Sequence, residues 1–427
     1  MIPASIREYP MTAHVPLCLG ICLLALLVSG CTRLPEIPAC TDPLGCVIIK
    51  PQDPVKIGVL QSLTGGVASN GQVQVNSIRL AVNDRGGNLL DHPIQLEIQD
   101  TRCTPEGGTA AATKIALDLG IVGAIGTHCS GAAATASKII SEAGMVMISG
   151  ANSAPSLTSV QGKSGANWHP GYYRVMFNGT NMARAAAWFA FRKHSLNRAA
   201  VINDGDLYTR EFTDEFSRAF TELGGTVALS TSINKGDRNM EPVITALVLS
   251  GAECVYFPIY EPEAQQFVNQ VRARADASQV LFIGGGALVT EAFIRSCGSN
   301  AAGMYFATVV PPQGPACDRL SKMYRETFGS PPQHFSFAHA YDAANLLMTV
   351  LEAVAVVLPD KSLSIGRQAL RNAMSNTRDF PGITGGLSCD QFGDCSADRF
   401  NIVRLDDPLA GLEGLKSNVI YTYNQER

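Results

Sequence analysis

Apolar runs alternate with amphipathic segments along most of the chain, and this pattern predicts an α/β protein. Three of the runs predicted as strands are Val55–Leu60, Val122–Ile125 and Met145–Ile148. The first two are followed by residues with helical spacing of apolar positions, so the order strand, helix, strand predicts a βαβ unit. The other predicted strands are Ile94–Asp100, Tyr172–Met176, Ala199–Asn203, Thr226–Ser232, Cys254–Pro258, Val280–Gly284 and Met304–Val309. Such regular alternation is typical of doubly wound parallel sheets.

Helices are predicted between these strands and again after residue 310. Thr104 is expected to cap one of them, with Pro105 in its first turn. The predicted helices cover about 71–84, 105–119, 181–193, 208–223, 242–249, 263–275, 318–327, 337–354 and 365–375, and a further helix follows Cys129. Near the C-terminus, the acidic stretch Asp390–Asp394 lacks the spacing of an EF-hand loop, so we predict a hairpin turn there.

The N-terminus has the pattern of an export signal. Arg7 precedes the apolar run Val15–Val28, which is too short for a typical membrane span. The sequence V-S-G-C that ends at Cys31 resembles a bacterial lipobox, which implies cleavage before Cys31 and lipidation of its sulfur. We therefore predict a signal peptide over 1–30, a lipid-anchored, proline-rich tether over 31–53, and a location in the cell envelope facing the periplasm. An uncleaved anchor or an ordinary secretion signal is the alternative.

Composition and charge narrow the class of protein further. The 427 residues are 46% hydrophobic and 16% charged, as in a packed globular protein, and the length favours two domains. The net charge of −4 provides no basic footprint, so nucleic acid is not an expected partner.

Cysteine spacing predicts disulfides, because the chain is expected to be exported. Cys254 lies inside an apolar run and is predicted to be a buried free thiol. Closely spaced Cys/His ligand pairs are absent from the sequence, and we expect neither a metal nor a cofactor. The predicted disulfides are Cys40–Cys46, Cys103–Cys129, Cys297–Cys317 and Cys389–Cys395.

Two loops of small polar residues, Thr127–Gly131 and Ser149–Ser153, follow neighbouring predicted strands. Because parallel strands end at the same edge of a sheet, these loops should lie side by side. The helix after Cys129 would direct its free N–H groups and the positive end of its dipole towards a group bound there. The sequence therefore predicts a site for a small anion, above all a carboxylate. The alternative is that Ser130 serves only as the helix N-cap.

Motifs of common enzymes are absent: the sequence contains no nucleophile elbow, P-loop, zincin motif or dinucleotide fingerprint. His128 is next to Cys129 and Ser130, but no acidic residue is placed to orient it as a catalytic base. His334 and His339 lack the i, i+4 spacing of metal ligands and are predicted to be structural or exposed. A binding protein is favoured over an enzyme.

With these residues in view, the chain resembles the leucine/isoleucine/valine-binding proteins, which are type I periplasmic solute-binding proteins of ABC transporters. The resemblance covers about 55–407 and implies two Rossmann-like lobes joined by three crossovers, with a ligand in the cleft. It implies lobe one as 54–174 plus 308–377 and lobe two as 175–307 plus 378–427. The motifs that carry it are K-I-G-V-L at Lys56–Leu60, the couple Cys103 and Cys129, I-G-T-H-C-S at Ile125–Ser130, E-A-G-M-V-M-I-S at Glu142–Ser149, A-P-S-L-T at Ala154–Thr158 and A-Y-D-A-A-N-L-L at Ala340–Leu347.

The resemblance also implies ligand-binding residues. The family's carboxylate-binding serine falls on Ser130, and its second loop falls on Ala151 and Ser153. Its cleft aromatics fall on Tyr208 and Tyr260. We expect both tyrosines to face the cleft, although a position on the lobe surface is the alternative.

One departure from the family concerns the residue that holds the ligand's α-ammonium group. Where the family has an acidic residue, this chain has three glycines that end at Gly286. A buried ammonium without a carboxylate partner carries a large desolvation cost. The departure points to a carboxylate ligand without an amine, unless Asp204, Asp206 or Glu261 replaces the missing acid.

The functional expectation is a monomeric lipoprotein that captures an amino-acid-like or other small carboxylate and delivers it to an ABC-transporter permease. The alternative is a sensory or structural lipoprotein that uses the same fold without transport.

Overall fold

The computed structural model describes residues 40–396 and 399–423. All of them belong to one compact unit, Pro38–Arg427. The predicted signal peptide and the predicted lipid-bearing Cys31 lie outside the described residues. Within the described part, no helix is both long enough and apolar enough to cross a membrane.

Strands and helices alternate as the apolar pattern predicts. In chain order the strands are β1 (Cys46–Ile49), β2 (Val55–Gln61), β3 (Asn88–Leu89), β4 (His92–Asp100), β5 (Ile121–Gly126), β6 (Met147–Ser149), β7 (Ser159–Val160), β8 (Lys163–Ser164), β9 (Tyr172–Arg174), β10 (Arg198–Asn203), β11 (Thr226–Ser232), β12 (Cys254–Phe257), β13 (Leu281–Gly284), β14 (Tyr305–Val309), β15 (Val356–Val357), β16 (Leu363–Gly366), β17 (Phe380–Gly382), β18 (Gly385–Leu387), β19 (Phe400–Arg404) and β20 (Val419–Tyr423). The helices are α1 (Ala68–Asp84), α2 (Pro105–Leu117), α3 (Ser130–Glu142), α4 (Thr180–Trp188), α5 (Leu207–Glu222), α6 (Glu241–Ser250), α7 (Glu261–Arg272), α8 (Glu291–Cys297), α9 (Pro315–Phe328), α10 (Ser336–Val354), α11 (Arg367–Ser375) and α12 (Gly411–Ser417).

Two large sheets define two lobes. The first lobe is built on a six-stranded sheet of order β3-β4-β2-β5-β6-β9, in which every pair except β3–β4 is parallel. The second lobe is built on a seven-stranded sheet of order β11-β10-β12-β13-β14-β19-β20, parallel from β11 to β14 and antiparallel beyond it. This arrangement confirms the predicted α/β fold with two Rossmann-like lobes.

The chain passes between the sheets three times: after β9, after β14 and before β19. Between the second and third passages, α10 packs into the core of the first lobe. These passages form the predicted three-segment connection, whereas the residue boundaries assigned to each lobe stay a prediction.

The first lobe is apolar on both faces of its sheet because helices cover both faces. Every residue of β5 is buried, as expected for a central parallel strand. Thr104 caps α2 as predicted, and its hydroxyl accepts the Gly107 N–H at 3.0 Å. A Cβ at Gly108 would lie 2.3 Å from the carbonyl oxygen of Ala132. Glycine at this position therefore lets α2 pack closely against α3, whose N-terminus lies at the candidate site.

A buried ion pair lies where the chain leaves the first sheet. Arg174, at the end of β9, is fully buried, and its Nε donates to Asp394 Oδ1 at 2.5 Å. Asp394 also accepts the hydroxyl of Thr158 at 2.9 Å and the amide of Asn178 at 3.2 Å. Burial by itself would raise the pKa of Asp394, but the Arg174 charge and these hydrogen bonds hold it below its usual value.

Three of the four predicted disulfides are formed: Cys40–Cys46, Cys103–Cys129 and Cys389–Cys395. The predicted Cys297–Cys317 disulfide is wrong, since both residues are buried free thiols. Cys297 lies in the core of the second lobe and Cys317 in the core of the first, so nearness in sequence is a poor guide here. Cys254 is a buried free thiol, as predicted.

Part of the predicted tether is folded onto the first lobe. Strand β1 pairs antiparallel with β16, and the side chains of Val47 and Ile49 are buried. The Asp42 carboxylate accepts the N–H groups of Gln368 and Ala369 at 3.0 and 2.9 Å and so caps α11 from a distant part of the chain. Residues 42–49 of the predicted tether therefore pack against the first lobe.

Candidate functional site

Ser130 lies where β5 leads into α3 at the carboxyl edge of the first sheet. Cys129 is the N-cap of α3 and makes no side-chain capping hydrogen bond, and Ser130 is the first helical residue. The alternative that Ser130 is the N-cap is therefore wrong. Its Oγ accepts the N–H of Ala154, in the second loop, at 3.2 Å. Because the oxygen acts as acceptor there, the hydroxyl proton is left to donate to another group.

The second loop is held against the first by Ser149 at the end of β6. Ser149 Oγ donates to the Thr127 carbonyl at 3.1 Å and accepts the N–H groups of Ala151 and Asn152 at 3.1 and 2.9 Å. Asn152 Oδ1 accepts the Thr127 N–H at 3.1 Å. The two loops thus lie side by side, as the βαβ pattern predicts. The N–H of Ala151 is already used within the loop and is not a free donor.

The second lobe contributes aromatic residues from the carboxyl ends of its own strands. Tyr208 lies in the first turn of α5, where the Asp206 carboxylate caps the helix by accepting the Tyr208 N–H at 2.9 Å. Tyr260 is the N-cap of α7, and its ring centroid lies 5.6 Å from that of Tyr208. Burial raises the pKa of both tyrosines, so both hydroxyl groups stay protonated.

The three glycines after β13 have distinct surroundings. A Cβ at Gly285 would lie 2.6 Å from the Tyr208 hydroxyl oxygen, so a larger residue there would displace that tyrosine. At Gly286 the nearest atoms to an added Cβ are 3.5 Å away or more, which is ordinary contact distance. Residue 286 is therefore the position at which this chain could carry a side chain facing the cleft.

All six residues predicted to bind the ligand line one cavity between the lobes. None of the thirteen lining residues found in the described part of the chain is Asp, Glu, Lys or Arg. The predicted lining residues are Ser130, Ala151, Ser153, Tyr208, Tyr260 and Gly286, and the others are His128, Met176, Phe177, Met182, Ala287, His334 and Phe335. The cavity is therefore built from uncharged polar, aromatic and thioether groups.

The three acidic residues considered as substitutes do not line this cavity. Asp206 pairs with Lys235 at 3.3 Å, and the Lys235 ammonium lies 5.4 Å from the centroid of the Tyr260 ring. Asp204 accepts the hydroxyl of Thr209 at 2.7 Å, and Glu261 accepts that of Thr290. Within the described residues, no carboxylate is available in the cavity to hold an ammonium group.

Two histidines that the sequence did not assign to the site line the cavity. His128 and His334 are 8% and 5% exposed, with ring centroids 5.9 Å apart in an edge-to-face arrangement. Burial lowers the pKa of His128 to about 4, and burial together with His128 lowers that of His334. Both imidazoles are therefore neutral at physiological pH. The spacing of His334 in the sequence did not indicate that α10 begins at the cleft.

Two hydrogen bonds join the lobes. Lys235 of the second lobe donates to the carbonyl oxygen of Cys103 in the first lobe at 3.1 Å. Glu211 of α5 accepts the N–H of Ser156, also in the first lobe, at 2.9 Å. Among the described residues, no group of His, Cys, Asp and Glu is arranged to hold a metal ion.

Two mainly parallel sheets, with a cavity lined from the carboxyl ends of strands of both, define a two-lobed binding protein. A family model described as periplasmic binding protein matches residues 54–395. The chain belongs to the periplasmic binding protein family.

Individual relatives agree with this assignment. The chain is 26% identical over 357 residues to the Leu/Ile/Val-binding protein BraC3 of Rhizobium johnstonii, a match that covers 82% of this chain and 91% of the relative. The leucine-binding protein LivK of Thermotoga maritima has a similar fold, with a TM-score of 0.72, 23% identity, and coverage of 83% of this chain and 96% of LivK. An R. palustris solute-binding protein of an ABC transporter in complex with benzoate has a TM-score of 0.70 and 22% identity, with 82% and 93% coverage.

Proposed function

We propose that this protein captures a small carboxylate without an amine between its two lobes and presents it to an ABC-transporter permease. It acts as a monomer without turnover, on the periplasmic side of the membrane, held there by lipid on Cys31. The observation that carries the ligand class is the cavity itself: a helix N-terminus faces a lining in which the described residues include no charged side chain.

The first-lobe wall suits a carboxylate. The first N–H groups of α3 have no partner within the helix, and the helix dipole places about half a positive charge at this end. Ser130 and Ser153 add hydroxyl donors on the same wall. Hydrogen bonds to a charged group contribute roughly 1.5–3 kcal/mol each, so these donors can hold an anion without a lysine or arginine.

The same wall and its surroundings disfavour an ammonium group. An α-amino acid would bring a positive charge into a cavity that offers it no carboxylate, at a cost of several kcal/mol. The benzoate complex of the R. palustris protein is an example of this fold holding a carboxylate that lacks an amine. This likeness supports the proposal.

The rest of the lining favours an apolar or aromatic ligand body. The side chains of Met176, Phe177 and Met182 line the cavity together with those of Tyr208 and Tyr260. Aromatic rings and flexible thioethers pack well against a flat or branched hydrocarbon group. Benzoate is therefore a suitable first probe.

Calorimetric titration of benzoate into the mature protein tests this proposal. The double variant Ser130→Ala with Ser153→Ala should bind benzoate about 10- to 100-fold more weakly, because two donors to the carboxylate are lost. Ser137→Ala is the matched control: Ser137 lies buried on α3, outside the cavity lining, and its hydroxyl has no partner among the described residues. Equal affinity in the double variant and the control would refute the site. Conversion of the ligand during the titration would refute binding without turnover.

A further inference from the structure

We propose that His128 and His334 form a pair of imidazole N–H donors, each fixed in one tautomer, that recognises an oxygen atom of the ligand other than its carboxylate. This inference rests on the proposed function and deepens it. The ligand class becomes an amine-free carboxylate that carries a second oxygen acceptor, such as a ring hydroxyl or a keto group.

The tautomer of His334 follows from a backbone contact. The N–H of Ser336 donates to His334 Nδ1 at 3.2 Å, and the Ser336 hydroxyl lies 2.7 Å from the same nitrogen. A backbone N–H can only donate, so Nδ1 must be the acceptor and cannot carry a proton. In the neutral imidazole the proton is therefore on Nε2.

The tautomer of His128 follows from a buried chain of amides. Gln74 Nε2 donates to His128 Nδ1 at 2.8 Å, and Gln61 Nε2 donates to Gln74 Oε1 at 3.3 Å. Both glutamines are fully buried in the first lobe. His128 Nδ1 is then an acceptor, and Nε2 carries the proton, as in His334. Gln74 is thus a positioning residue for His128.

Neither Nε2 has a hydrogen-bond partner among the described residues, although both side chains are more than nine-tenths buried and line the cavity. Each Nε2 is accessible from the cavity, so its N–H can donate to a ligand bound there. Two N–H donors on neighbouring rings, with centroids 5.9 Å apart, can share one oxygen of a ligand. A ligand ammonium has only donors and could not satisfy them.

Neutral N–H donors contribute more to selectivity between ligands than to the overall affinity for a carboxylate. At neutral pH the pair carries no charge, so it adds little to the capture of a carboxylate as such. A site built to bond an oxygen rejects the analogue without that oxygen, because its donors are left unpaired. We expect the wild-type protein to prefer 3- or 4-hydroxybenzoate to benzoate by at least about tenfold.

The affinity ratio of hydroxybenzoate to benzoate is the readout of the test. His128→Leu and His334→Leu should each reduce this ratio to about twofold or less, whatever their effect on benzoate affinity itself. His339→Leu is the matched control, because His339 is equally buried but does not line the cavity, and it should keep the wild-type ratio.

The outcomes separate the two proposals. Wild-type protein that binds none of the three carboxylates overturns the proposed function and this inference with it. Wild-type protein that binds them with equal affinity, or variants that keep the wild-type ratio, overturn the role of the histidines alone.

Nitrogen-15 NMR of the wild-type imidazoles tests the same inference without a variant that must fold. Two-bond proton–nitrogen correlations should show the Nε2–H tautomer for both histidines, and hydroxybenzoate should move both Nε2–H signals more than benzoate does. In Gln74→Leu the His128 tautomer should change while that of His334 stays. An Nδ1–H tautomer at either residue in the wild type, or identical shifts with both ligands, would overturn it.

Discussion

The Arg174–Asp394 centre and the ligand cavity are both buried and both polar, yet they treat polar groups in opposite ways. At the Arg174–Asp394 centre, full charges are paired within the protein: Asp394 accepts from Arg174, Thr158, Ser159 and Asn178. In the cavity, the lining has no charged side chain, and donors such as His128 Nε2 have no partner among the described residues.

The difference shows how buried polar groups that stabilise the fold differ from those that bind a ligand. The Arg174–Asp394 centre is saturated, in the sense that its charges are paired within the protein. It holds the strand β9 to the turn at Cys389–Cys395, next to the point where the chain changes lobe. Unsaturated donors keep their capacity for a ligand, at a cost in stability of the free protein.

Removal of one charge from the saturated centre should have the largest effect. Asp394→Ala leaves the Arg174 guanidinium buried without its carboxylate, and we expect a loss of about 3–5 kcal/mol in the free energy of unfolding by urea. The double variant Arg174→Met with Asp394→Leu is the control and should lose less, since no charge is left unpaired. A loss below about 1 kcal/mol in Asp394→Ala would show that the pair is not the centre described here.

Each region has a disulfide next to it, and removal of the two disulfides should lower the free energy of unfolding by different amounts. The Cys103–Cys129 bond closes a separation of 26 residues next to Ser130, and its removal by paired alanines should cost about 3.5 kcal/mol. The Cys389–Cys395 bond closes a separation of 6 residues and should cost about 2 kcal/mol. Only the first removal should also weaken benzoate binding in calorimetry. Equal loss of affinity in both variants would contradict the assignment of the first bond to the site.

As the pH falls, the free energy of unfolding should lose the contribution of the buried His128 in the cavity before it loses that of the Arg174–Asp394 centre. The pKa of His128 is lowered by burial to about 4, so the unfolded state binds more protons between about pH 6.5 and 4, and stability falls as pH falls through this window. His128 accounts for roughly 3 kcal/mol of that loss. The lowered pKa of Asp394 means that its contribution is present above its unfolded pKa and is lost only below it.

Urea unfolding of the wild type and His128→Leu at pH 7.5, 5.5 and 4.5 measures this difference. The variant should show a shallower decline of stability over this range. Parallel curves for the two proteins would contradict a neutral, buried His128.

A carboxylate placed in the uncharged cavity should reduce ligand affinity. Gly286 has room for a Cβ, and in Gly286→Asp the new charge would repel the ligand's carboxylate. At a separation of about 6–8 Å and an effective dielectric constant of 20, the repulsion is about 2–3 kcal/mol. Gly286→Asn is the matched control of the same size without charge. Calorimetry should show benzoate binding about 30- to 100-fold weaker in the aspartate variant than in the asparagine variant, and equal affinities would place residue 286 away from the ligand.

Much of the fold and of the candidate site was predictable from local patterns. The alternation of apolar runs located the parallel strands of both sheets but not β3, β19 and β20, and loops after neighbouring parallel strands must meet at one edge. Ser130, Ser153 and Gly286 therefore came together as the resemblance implied. Helix α11 was predicted two residues early, because Ile365 and Gly366 belong to β16.

The remaining errors concern contacts between distant parts of the chain. The pairing of β1 with β16 and the separation of Cys297 from Cys317 depend on how the lobes pack, which no local pattern records. The place of His334 depends on α10 beginning at the cleft, far in sequence from His128. Its neutral state follows from burial that only the folded protein creates.

The central claim, an uncharged cavity that holds a carboxylate and rejects an ammonium group, is tested most directly by calorimetry with one matched pair of ligands. 4-Methylpentanoate has the carbon skeleton of leucine and lacks only the amine. We predict that it binds at least about a hundredfold more tightly than leucine, since a buried ammonium without a partner costs several kcal/mol. Tighter binding of leucine would contradict the account.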